Sequence, residues 1–80
     1  GRFQLLGAVT LGIALQTYDE AQRASGDGRK KLFLRAAQQI AKAREALNNH
    51  SGDPVLRRTL YSQRVSELQT NALKEAGVQP

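Results

Sequence analysis

The chain has 80 residues, one domain's worth, and a domain of that size buries only about 60 to 65% of its extended-chain surface. It has no cysteine, no methionine and a single histidine, His50, which excludes disulfides, thiol nucleophiles and a His- or Cys-rich zinc site within one chain, so neither metal nor cofactor is expected. Twelve Lys and Arg against seven Asp and Glu leave a formal charge of +5, which favours acidic partners by long-range attraction.

Two Gly/Asp breaks, Ser25-Gly26-Asp27-Gly28 and Ser51-Gly52-Asp53-Pro54, divide the chain into three helix-forming stretches of similar length. The expected fold is all-α: an antiparallel three-helix bundle occupying residues 1–80 as one domain, with helices near 4–25, 29–49 and 54–76. The start at Gly1 without methionine reads as an excised domain or processed fragment, and the lack of cysteine leans toward a reducing, cytoplasmic compartment.

In the first stretch, Thr10 is the only polar residue from Leu5 to Leu15. Eleven residues cover about half of a hydrocarbon core, so the run does not span a membrane, and Gln16-Thr17-Tyr18-Asp19-Glu20 is not a signal-peptidase site. Ala8, Leu11, Leu15 and Tyr18 form one helical stripe and Leu6, Val9 and Ile13 a second, which predicts two packing partners. Gly7 and Gly12 each cost about 1 kcal/mol against alanine in a helix, which suggests close approach of a neighbouring helix or a bound peptide. Gly26 can adopt the left-handed conformation that ends a helix, and Asp27 can cap the next.

The second stretch places Phe33, Ala36, Ile40, Ala43 and Leu47 on a narrow inward seam, with Arg35, Gln38, Gln39, Lys42, Arg44 and Glu45 on a polar exterior. Leu32 and Leu34 flank Phe33 and cannot all point inward, so one is a candidate exposed anchor unless both cover the bundle end. In the third stretch Asp53 offers an N-cap oxygen and Pro54 suits the first helical position. Leu56, Leu60, Tyr61, Val65, Leu68 and Ala72 supply the inward stripe of one continuous helix closed by Gly77, with Tyr61 either a half-buried core residue or the floor of a peptide groove.

Catalytic chemistry finds little support. His50, Ser51 and Asp53 are close in sequence but sit in a linker, without the rigid scaffold and oxyanion donors that a triad needs. Gly26, Gly28 and Arg29 to Lys31 lack Walker spacing, and Asn49-His50-Ser51 fits a glycosylation sequon that arises often by chance. Blocks of like charge are missing: Arg29, Lys30 and Lys31 form one cluster, Arg57 and Arg58 another.

Three helices of about twenty residues, the Gly turn after the first, the polar turn before the third, and Leu60, Val65 and Leu68 in the last helix resemble the microtubule-interacting and transport (MIT) domain over nearly the whole chain. The sequence departs from that family at Thr70-Asn71-Ala72, where Arg-Ala-Glu is common. The resemblance implies a non-catalytic adaptor in protein transport whose interhelical groove receives a short helical or extended peptide from a membrane-remodelling filament protein of the endosomal-sorting type. Val65, Leu68 and Arg64 carry over as contacts, and Arg57 and Tyr61 lie beside them in the sequence-derived peptide site. Two other readings stand: a basic module holding nucleic acid or acidic membrane through Arg29, Lys30, Lys31, Arg57 and Arg58, and a structural subunit of a larger assembly.

Overall fold

The computed structural model describes the backbone of residues 2–50 and 54–78 and the side chains of residues 9–48 and 54–78. The described residues are all-α, with no strand: α1 (Arg2–Arg23), α2 (Gly26–His50), α3 (Pro54–Leu60) and α4 (Gln63–Glu75). At 1.5 Å per residue α1 and α2 are about 33 and 38 Å long, and they set the long axis of a particle measuring 39 × 21 × 17 Å.

Only Ala24 and Ser25 separate α1 from α2, and Gly26 makes the reversal with φ at +67°, a conformation costly for residues bearing a Cβ. The turn is tighter than the sequence suggests. Helix 2 starts at Gly26 instead of Arg29, so Asp27 lies within the first turn, where a carboxylate favours the dipole, and not ahead of it. At the far end Gly77, φ +80°, closes α4: its N–H donates to Lys74 O and the Val78 N–H to Leu73 O, the paired bonds of a Schellman cap. Pro54 opens α3 as expected, while the Asp53 cap, the side-chain surroundings of Gly7 and the side chain of His50 lie outside what the structure describes.

The core forms two clusters along α2. Leu11 and Ala14 of α1 meet Ile40, Ala43 and Leu47 in one, with Leu60 and Val65. Tyr18 and Ala21 meet Phe33, Ala36 and Ala37 in the other, with Ala72, and the Tyr18 and Phe33 rings stand edge to face at 5.3 Å. Leu68 packs against both clusters. Every member of the seam read from the α2 sequence is buried. Much of the core is alanine, so it is filled by close backbone approach more than by large side chains.

The third stretch is not one helix. It breaks at Tyr61 and Ser62, where the Ser62 side chain caps α4 by accepting from the Val65 N–H at 3.3 Å. The break has a packing reason. In a continuous helix Leu60 and Val65 would point about 140° apart, and only one could face the core fully. With the elbow both are buried in the same cluster, and Tyr61 is turned out to 45% exposure instead of joining the stripe. The Leu60 carbonyl, removed from the helical ladder, accepts from Arg44 Nε of α2 at 2.8 Å. Arg44 also donates from Nη1 to Gln69 Oε1 at 2.8 Å and from Nη2 to Ser66 Oγ at 3.0 Å, and its guanidinium lies 4.7 Å from the Tyr61 ring centre.

Replacing Arg44 by Met leaves the Leu60 carbonyl half-buried and unpaired, and should lower unfolding free energy by about 2 kcal/mol, or roughly 10 °C in Tm. Ser62→Ala removes only the cap and should cost about 1 kcal/mol. Urea denaturation followed by circular dichroism ranks the two, and a larger loss in Ser62→Ala than in the Arg44→Met variant would show that the cap, not the clamp, holds the elbow.

Candidate functional site

The five residues of the sequence-derived peptide site do not line one groove. Val65 is buried in the core and Leu68 is partly buried between the two clusters, so Leu68→Asp is a test of folding more than of binding. Tyr61 accepts from Asn48 Nδ2 at 2.7 Å through its hydroxyl while its ring carries the Arg44 guanidinium. Arg57 donates to Asn48 Oδ1 at 3.1 Å, and Arg64 is exposed. Asn48 thus ties Arg57 and Tyr61 to the end of α2, a link that joins α3 to the helix pair across the described surface.

The five basic residues of the polyanion reading fall into two groups. Lys30 and Lys31 are exposed at the start of α2, whereas Arg57 and Arg58 are exposed on α3 beside Asn48, seventeen residues further along the α2 axis from Lys31, or about 26 Å. Arg29 is occupied internally. Its Nη1 donates to Gln22 O at 3.0 Å, and more weakly to Ala21 O and Ala24 O at 3.3 and 3.4 Å, placing a cation on the carbonyl end of the α1 dipole. Its Nη2 reaches Glu75 Oε2 of α4 at 3.6 Å, and its guanidinium lies over Phe33 at 4.9 Å. An arginine one turn after a Gly reversal is a legible hint of such capping, but Arg44 gave no local signal, since its partners are 16 to 25 residues away.

Two surfaces remain. The polar face of α4, formed by Gln63, Ser66, Glu67, Thr70, Asn71 and Lys74, borders a shallow trough open to solvent, with Asn71 Nδ2 donating to the Tyr18 hydroxyl at its edge. Parts of the exposed surface of α1 are apolar. Val9 is 50% exposed, Ile13 45% and Leu15 41%, although the stripe pattern assigns Leu15 to the core and Val9 and Ile13 to a second neighbouring helix. Among its described side chains α1 buries Leu11, Ala14, Thr17, Tyr18 and Ala21, and the Thr17 hydroxyl donates back to Ile13 O at 3.0 Å. A Cβ on Gly12 would meet nothing within 4 Å, so among the described residues no neighbouring helix approaches this glycine, and of the two expected reasons for it only a bound peptide stays open. Leu32 and Leu34 are both partly buried, Leu32 against the Phe33 cluster, and neither is an exposed anchor.

Among the described residues no group of three His, Cys, Asp or Glu side chains could hold a metal ion, and no helix is long and apolar enough to cross a membrane. Ser51 and Asp53, with the His50 side chain, lie outside the described residues. Because the two basic groups are far apart, K30Q/K31Q and R57Q/R58Q should lower heparin affinity additively, within about 0.5 kcal/mol of the sum. Strong synergy in a fluorescence titration at low salt would mean that one ligand bridges both ends. The chain matches no protein-family model, no curated protein and no solved structure.

Proposed function

We propose that this domain is a non-catalytic helical interaction module, an antiparallel three-helix bundle with a broken third helix, which binds a partner helix along the outer face of α1. The observation that carries the reading is the exposure of Val9 and Ile13, one turn apart on a helix whose other side is packed into the core. Isolated exposed aliphatics are ordinary on protein surfaces, but these are successive members of one helical stripe, the arrangement that helix-on-helix recognition uses. α1 is already ordered by its contacts with α2, so docking there requires little further loss of backbone freedom.

The MIT resemblance supports the same class of function, an adaptor for a short helical segment. The present reading differs in the face used, because Val65 and Leu68 are engaged in packing while Val9 and Ile13 are open. A basic surface is a weaker basis for function here, since Arg29 and Arg44 act inside the fold and the remaining cations are spread.

A ¹⁵N chemical-shift titration with a leucine-rich amphipathic peptide at physiological salt tests this. The expected result is shifts at the amides of Val9, Ile13 and Gln16, abolished in Ile13→Glu, a change that should itself cost at most about 1 kcal/mol of stability at this half-exposed position. Shifts confined to the α4 trough, or none from a folded sample, would reject the α1 face as the binding surface.

A further inference from the structure

We infer that the elbow between α3 and α4 is a binding site for single-stranded nucleic acid, with the Tyr61 ring stacking on a base and Arg57, Arg58 and Arg64 holding the neighbouring phosphates. The site uses none of the residues of the α1 face and does not rest on the reading of that face. Between Asp53 and Glu67 the chain carries these three arginines and no acid. The break at Tyr61 and Ser62 gathers them around a ring that it has turned out of the core.

α3 continues its hydrogen bonding one residue past Leu60, with the Tyr61 N–H donating to Arg57 O at 3.0 Å. Arg57 and Arg58, four and three residues before Tyr61, therefore stand beside it on one side of the helix. Arg64 follows three residues later in the first turn of α4, its Cα no more than about 10 Å from that of Tyr61. Asn48 orders the polar edge of the site. Its Oδ1 accepts from Arg57 Nη1 and its Nδ2 donates to the Tyr61 hydroxyl, so the hydroxyl proton and the remaining N–H groups of Arg57 point to a ligand instead of to Asn48. Arg58 and Arg64 are exposed and have no hydrogen-bond or ion-pair partner among the described residues. Arg44 covers one face of the Tyr61 ring at 4.7 Å, so the 45% exposure belongs to the other face and the edge, and a ring already held in place loses little freedom when a base stacks on it.

The combination selects the ligand. Three unengaged or partly engaged guanidinium groups call for phosphates, and an outward aromatic ring among them calls for an unpaired base, the pairing of contacts that sequence-tolerant single-strand binders use. A duplex keeps its base faces stacked away from such a ring. A lipid surface would need an apolar face beside the cations, and of the valine and leucine side chains of α3 only Val55 is exposed. An acidic peptide would use the cations and leave the ring idle.

Fluorescence anisotropy with labelled twelve-nucleotide dT and U oligomers tests the inference, with circular dichroism confirming that each variant is folded. Both oligomers should bind with comparable affinity, which should fall roughly twentyfold between about 50 and 200 mM salt, as three phosphate contacts on a single strand require. Tyr61→Ala should weaken binding about tenfold, whereas Tyr61→Phe, which keeps the ring, should stay within about threefold of the wild type. R58Q/R64Q should flatten the salt dependence to that of about one contact. K30Q/K31Q, about 26 Å away along α2 and beyond the screening length, should change affinity less than about twofold. Absence of binding at the lower salt overturns the site. So does a loss in K30Q/K31Q equal to that in R58Q/R64Q, which would make the attraction one of overall charge. Indifference to Tyr61→Ala, or equal affinity for a twelve-base-pair duplex or for phosphatidylserine vesicles, overturns the single strand as the ligand.

Discussion

The arrangement of the last third of this chain depends on one side chain reaching across from α2. Arg44 replaces the helical hydrogen bond that Leu60 O loses at the Tyr61–Ser62 elbow, and its two remaining nitrogens hold Gln69 and Ser66 on the far side of the break. A planar, permanently charged fork can serve a carbonyl, an amide and a hydroxyl at once, which a lysine ammonium on a flexible stem does less well. Without the elbow, Leu60 and Val65 could not both enter the same cluster, and the small core of an 80-residue domain has few large side chains to spare.

A second arginine does related work at the opposite end of α2. Arg29 covers the terminal carbonyls of α1 and reaches Glu75 near the end of α4, so that each end of the central helix is tied to its neighbours by a guanidinium. Both cations also lie over an aromatic ring, Phe33 in one case and Tyr61 in the other. Part of the net positive charge is therefore internal stapling. This is why a formal charge of +5 says less about ligands than it would on a chain whose arginines were all free.

Packing and exposure on α1 have the same origin. α1 and α2 approach closely because Ala14, Ala21, Ala36, Ala37 and Ala43 lie between them, and the shorter α3 and α4 pack over one side of that pair. Two short helices joined by an elbow do not reach around to Val9 and Ile13. The open apolar patch at Val9 and Ile13 is thus a consequence of the architecture.

The helices, the Gly26 and Gly77 reversals, the Pro54 start and the full α2 seam were legible in the sequence, because each is a local property: φ freedom at glycine, the missing proline N–H, and the three-and-four spacing of buried side chains. Periodicity also shows that α1 carries more apolar residues than one interface uses. It could not say which would be covered, and Leu15, Val9 and Ile13 all proved open, since burial depends on where the other helices end. The break at Tyr61 was invisible because no proline or glycine marks it; Ser62 is compatible with a helix interior, and only Arg44, far away in sequence, makes the alternative favourable. Local chemistry determined which segments are helical and where the glycine caps lie, whereas the tertiary structure alone decided which arginines are consumed and which apolar face is left free, because both depend on contacts between residues distant along the chain.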